Sequence, residues 1–189
     1  MSTGSSERLK KRKEIESAIA TFPDFPKKGI LFRDIFGVFK NPNLTEHLFT
    51  ELYLLIHENI SAISKIDAIV GLDARGFLFG PSLAVRLGCA FVPARKAGKL
   101  PGDCYSATYD LEYGTATLEL QRESFQPNDR VVLIDDLLAT GGSLLAGVEL
   151  VKKAKAVPVA AVVVMELQNL DGRTKLETVD VPVYTMFTY

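Results

Sequence analysis

Only two cysteines and two histidines occur among the 189 residues, and nowhere do about eighteen apolar residues run together as a membrane span requires. Cys89 and Cys104 match no common zinc or redox spacing and read as free thiols of a reducing compartment. His47 and His57 lie ten positions apart on one predicted helix, which turns them about 280° from each other at roughly 100° per residue. They do not converge on a metal, so a zinc hydrolase or a histidine-based triad is disfavoured. The formal net charge of -1 supplies no general basic field, which argues against sequence-independent nucleic-acid binding. The lysine and spacing of a P-loop are missing, as is G-x-G-x-x-G, so ordinary nucleoside triphosphate and dinucleotide sites are disfavoured too. The opening residues, "MSTGSSERLKKRKE", lack the apolar core of a secretory signal. The expectation is a cytoplasmic protein that binds neither membrane nor nucleic acid.

What is present is globular: 47% hydrophobic and 24% charged residues suit one domain over 1–189. Leu9, Ile15, Ala18 and Ile19 predict a first helix, with Arg8, Lys10, Lys11, Arg12 and Lys13 as a solvated face. Pro23 and Pro26 end it, and "FPDFPKKGILFRDIF" reads as a loop or short strand. Leu44, Leu48, Leu52 and Leu55 predict a helix over 43–58, with Asn43 and Glu46 as a capping box. From Ile66 onward, short apolar runs without polar alternation mark strands covered on both faces, separated by helices predicted over 82–87 and 143–155. An α/β fold with a parallel sheet follows. One stretch fits poorly: "RKAGKLPGDCYSATYDLEYGTATLEL" holds Gly98, Gly102 and Gly114 with little apolar content, and reads as a structureless, mobile flap over 96–115.

The most informative segment is "VVLIDDLLATGGS", residues 131–143. A strand over 131–134 delivers Asp135 and Asp136 to the carboxyl edge of the sheet, where open α/β folds place ligands. Gly141 and Gly142 then allow a tight turn, Thr140 and Ser143 offer hydroxyls, and the next helix presents unpaired N–H groups. That combination cradles a phosphate. The plain alternative is a glycine turn in which one aspartate caps the helix, but a cap needs only one carboxylate. Consecutive strand residues face opposite ways, so two acids at a strand end straddle a ligand. A polyol bearing a terminal phosphate satisfies both halves.

"VVLIDDLLATGGS" resembles the phosphoribosyl pyrophosphate motif of type I phosphoribosyltransferases, and its "DDLLATGG" core resembles the form in the adenine phosphoribosyltransferase family. The resemblance continues through "FPDFPKKGILFRDI", "GLDARGFLFGPSLA", "RKAGKLPG" and "YDLEYGTATLEL", in the expected order over most of the chain. It implies the type I phosphoribosyltransferase fold: a mostly parallel twisted sheet flanked by helices, an N-terminal helix and purine-binding hood over 1–40, and a flexible active-site flap.

The implied reaction joins adenine N9 to C1 of the phosphoribosyl group of phosphoribosyl pyrophosphate, with Mg²⁺ on the donor, and yields AMP and pyrophosphate. In that reading Asp135 and Asp136 hold the ribose hydroxyls and stabilise a ribosyl cation, while Ala139, Thr140, Gly141, Gly142 and Ser143 cradle the 5-phosphate. Ser143 stands where the family usually has threonine, which keeps the hydroxyl. The resemblance places the pyrophosphate on "GLDARGF", often through a strained peptide bond, with Arg75 as a planar fork. No direct metal ligand is implied; Mg²⁺ is held by the substrate and reached through water from Asp73 or Asp135. Arg95, Lys96 and Lys99 are further candidates for the leaving group. Leu31, Phe32 and Arg33 are implied to bind the purine, Glu112 to protonate or hydrogen-bond N7, and Tyr113 to close the flap. The family is typically homodimeric, and the segment after "RGF" is the candidate interface. Two alternatives stay open at this point: an oxopurine acceptor, and a regulator that senses the donor without turnover.

Overall fold

Val131, Val132, Leu133 and Ile134, like Ala161 to Val164, form apolar runs with no polar alternation because both faces of their strands are covered. They lie on two adjacent interior strands of a seven-stranded sheet in a computed structural model that describes residues 3–62, 64–110 and 114–189. The chain forms two compact units, Met1–Leu52 and Tyr53–Tyr189.

The first unit opens with α1 (Thr3–Ser17), followed by an antiparallel pair, β1 (Ala20–Pro23) and β2 (Leu31–Asp34), the short α2 (Phe36–Phe39) and α3 (Pro42–Ile56), which spans the division. The basic cluster of α1 is not simply a solvated face. Arg8 Nε donates to both oxygens of Glu51, at 2.9 and 3.2 Å, and Arg12 Nε lies 3.8 Å away, so two guanidinium groups neutralise one buried carboxylate. α3 begins one residue before the predicted box: Asn41 Oδ1 accepts from Asn43 N at 2.9 Å, and Pro42 takes the first helical position, where its missing N–H costs nothing. The helix ends at Ile56, and a π-helical turn, His57–Ser61, takes the place of its predicted last residues.

The second unit continues with β3 (Ala68–Leu72), α4 (Gly76–Leu87), β4 (Ala90–Lys96), β5 (Cys104–Asp110), β6 (Thr115–Gln121), β7 (Arg130–Leu138), α5 (Gly142–Lys153), β8 (Val157–Glu166), a 3₁₀ turn (Gln168–Leu170), α6 (Gly172–Glu177) and β9 (Val183–Thr188). Sheet order is β5-β6-β4-β3-β7-β8-β9; β4, β3, β7, β8 and β9 run parallel, and β5 and β6 form an antiparallel hairpin at one edge.

Three expectations change here. The helix predicted over 82–87 starts at Gly76, its first two turns masked in sequence by Gly76, Gly80 and Pro81. Those glycines serve close packing, since a Cβ at Gly76 would stand 2.4 Å from the Ile134 carbonyl oxygen and one at Gly80 would stand 2.2 Å from the Phe91 ring. The segment read as structureless contains β5, whose Tyr105, Ala107 and Tyr109 form the more buried face of a regular strand. Finally, α5 ends at Lys153, and Lys155 turns the chain with a φ of 60°, a conformation that favours glycine. Among the described residues no helix is long and apolar enough to cross a membrane.

Candidate active site

β3 and β7 are adjacent and parallel, so their carboxyl ends emerge side by side and bring two loops together. The β3 loop carries Asp73, Ala74 and Arg75 into α4; its Asp73–Ala74 peptide is cis. The β7 strand runs further than predicted, through both aspartates to Leu138, before Ala139–Gly141 lead into α5. Gly141 takes a φ of 80°, open to glycine without steric cost, and no side chain caps α5. The aspartates therefore are not the helix cap. Among the described residues no side chain caps the start of α5, and its N–H groups suit an anion.

A cavity of about 360 Å³ lies at this edge. Asp73, Arg75, Lys96, Asp135, Asp136 and the whole of Ala139–Ser143 line it, so the structure gathers most of the residues that the sequence suggested for the donor. Arg95 and Lys99 stand outside the lining: Arg95 Nη1 donates to the Lys99 carbonyl at 3.0 Å, and its Nε lies 3.5 Å from Asp73 Oδ2. Asp73 thus pairs with Arg95, and Arg75 pairs across the cavity with Asp136, Nε to Oδ2 at 3.0 Å.

The two aspartates differ. Asp136 is buried and Asp135 half-buried, and Asp135 Oδ1 accepts the Asp136 backbone N–H at 2.9 Å. Burial, then the neighbouring charge of Asp136, pushes the Asp135 carboxyl well above the ordinary aspartate range. Burial also raises Asp136, with the Arg75 guanidinium pulling the other way. A ligand that brings hydroxyls and cationic character to this pair relieves its repulsion. No group of three or more His, Cys, Asp or Glu among the described residues is arranged to hold a metal ion.

Sequence reasoning missed Tyr109, Asp110 and Leu170, which also line the cavity. Burial, then the charges of Asp135 and Asp73, raises the Tyr109 phenol. Its strand alternation was a usable signal, whereas nothing in the sequence ties Leu170, after β8, to a loop after β7. Leu31, Phe32 and Arg33 form β2 of the first unit, with Leu31 half exposed and Phe32 edge-on to Phe25 at 5.1 Å. Glu112 and Tyr113 lie outside the described residues.

An acid pair near the carboxyl end of β7, a glycine loop opening α5 and the arginine-bearing loop of the neighbouring parallel strand share one cavity, a combination whose chemistry suits a phosphorylated sugar. The family described as phosphoribosyl transferase domain matches residues 40–189. Adenine phosphoribosyltransferase of Drosophila pseudoobscura pseudoobscura is 49% identical over 175 residues, covering 93% of each chain. The crystal structure of adenine phosphoribosyltransferase from Saccharomyces cerevisiae, complexed with adenine and D-2,5-dideoxy-2,5-imino-altritol 1,6-bisphosphate, superposes with a TM-score of 0.89 at 45% identity, covering 94% of this chain and 99% of that one. That of Trypanosoma brucei, in complex with AMP, pyrophosphate and ribose-5-phosphate, gives 0.83 at 31% identity, covering 94% and 79%. The chain belongs to the phosphoribosyltransferase family and, within it, to the adenine phosphoribosyltransferases.

Proposed function

We propose that this chain is a purine salvage enzyme that transfers the 5-phosphoribosyl group of phosphoribosyl pyrophosphate to adenine, forming AMP and pyrophosphate. The observation that carries the reading is the shared cavity of Asp135, Asp136, the glycine loop and Arg75. Adenine N9 bonds to C1 as the bond from C1 to the pyrophosphate oxygen breaks; that electron pair leaves with the pyrophosphate, and the ring N–H proton of adenine passes to the departing pyrophosphate or to solvent. Ala139–Ser143 hold the 5-phosphate, each hydrogen bond to the charged group contributing about 1.5–3 kcal/mol. Asp135 and Asp136 hold the ribose hydroxyls and lower the energy of positive charge developing at C1. Arg75 and Lys96 receive the leaving group, with Arg95 and Lys99 recruited from beside the cavity.

The oxygen donors present fit a magnesium ion carried by the donor: Asp73 and Asp135 place hard carboxylates at the cavity wall, and Mg²⁺ commonly binds through one or two carboxylates plus substrate phosphates. When bound, the ion neutralises charge on the departing pyrophosphate. Leu31, Phe32 and Arg33 contact the purine, Glu112 hydrogen-bonds or protonates N7, and Tyr113 helps the 96–115 segment close; these roles follow from the family resemblance. The enzyme works in the cytoplasm, where Cys89 and Cys104 stay reduced, and as a homodimer joined through α4, whose Val85 is 82% exposed.

The decisive test is a Mg²⁺-dependent assay of purified protein for adenine-to-AMP conversion, with hypoxanthine and guanine as controls. AMP and pyrophosphate formed in equal amounts support the reading. Preference for an oxopurine moves the assignment to that acceptor, and saturable donor binding without turnover moves it to a sensor.

A further inference from the structure

The N–H groups of a phosphate cradle must be held in fixed directions, yet Ala139–Gly141 is a short loop that opens α5 with no side-chain cap among the described residues. Its support comes from behind, from α6. A Cβ at Gly172 would stand 2.2 Å from the Ala139 carbonyl oxygen, 2.7 Å from Leu138 Cδ1 and 3.0 Å from the Gly141 nitrogen. The relation is mutual, because a Cβ at Gly141 would stand 3.0 Å from the Gly172 carbonyl oxygen and 3.2 Å from Leu176 Cδ2. Two backbones meet there with no side chain between them.

Residues 172–177 form a helix too short to hold its own place. Arg173 fixes it. Its Nε donates to Glu166 Oε1 at 2.8 Å, its Nη2 donates to the other oxygen of the same carboxylate, and its Nη1 donates to the Val183 carbonyl at 2.7 Å. Glu166 is 3% exposed and ends β8, the strand beside β7, so the fork ties α6 to the same sheet edge that carries the cradle. A planar guanidinium satisfies this bidentate geometry and a lysine does not. Leu167 N donating to the Leu138 carbonyl at 2.9 Å adds a second link between the β8 and β7 ends.

We infer that Gly172 and Arg173 are positioning residues for the 5-phosphate: they set the cradle from behind without lining the cavity. This rests on Ala139–Ser143 being the phosphate cradle, as proposed above. The test measures calorimetric affinity of the full chain for two probes, ribose 5-phosphate and inorganic pyrophosphate with magnesium, in the wild type, Gly172→Ala and Arg173→Lys. Ribose 5-phosphate Kd rises about tenfold or more in both variants, the effect of roughly 1.4 kcal/mol, while pyrophosphate Kd stays within about twofold. In turnover, the donor KM rises by a similar factor and kcat changes by less than about threefold. Arg173→Lys keeps the charge opposite Glu166, so it tests the idea even where Gly172→Ala does not fold. Equal loss of both probes, as general loosening gives, or unchanged ribose 5-phosphate affinity overturns the inference. A wild type that binds pyrophosphate and no ribose 5-phosphate overturns the cradle assignment itself and the inference with it.

Discussion

Asp135 holds the central conflict of the site. Its carboxyl is raised above the ordinary aspartate value, so between that value and the raised one the folded state binds the proton more tightly than the unfolded chain. Its contribution to stability therefore falls as pH climbs through that window and does not recover above it. Asp135→Asn removes the penalty and keeps an oxygen for the Asp136 N–H. Thermal denaturation at pH 7 should show a higher Tm, by about 2–4 °C for each kcal/mol regained in a chain of this length. The same variant should weaken donor binding by about 10–100-fold, the equivalent of one or two lost charge-assisted hydrogen bonds; a lower Tm or undiminished donor affinity would count against the account. At Glu112 the expected split is different. Glu112→Gln keeps most donor affinity and lowers kcat by about 10²–10⁴-fold, which single-turnover and binding measurements separate. Charge type at these positions was legible in the chain. The partner of each charge was not, because Arg75 meets Asp136 only when β3 and β7 pair.

Among the elements, α4 shows how local punctuation misleads. Gly76, Gly80 and Pro81 look like breakers in isolation, but two of the three are small because β7 and the Phe91 ring press on the helix. Gly76→Ala should cost about 1–3 kcal/mol in urea denaturation, since its Cβ would meet backbone at Ile134, which has no rotamer to yield. The cap of α3 gives a smaller effect: Asn41→Ala should cost about 1 kcal/mol, and an equal loss from Asn43→Ala would restore the capping box that the sequence suggested. In β5 the two-residue period of Tyr105, Ala107 and Tyr109 was present to be read, and the surrounding glycines obscured it.

For the whole molecule, the proposed homodimer joins two copies through α4, where Val85 is 82% exposed and offers a probe of that contact. Sedimentation velocity should show a dimer that Val85→Glu shifts toward monomer; a monomeric wild type would remove the proposal. The order of apolar runs, the acid pair and the glycine loop were enough to define a mostly parallel α/β sheet with the acid pair and the glycine loop near the carboxyl end of one strand. Those features are local: side-chain period, turn chemistry and charge act within a few residues. Tertiary structure alone decided which loop faces which, that Arg75 and Arg95 take different aspartates, and that Gly172 backs Gly141. Such contacts join segments far apart in the chain, and strand order, which no local pattern encodes, is what brings them within a few ångströms.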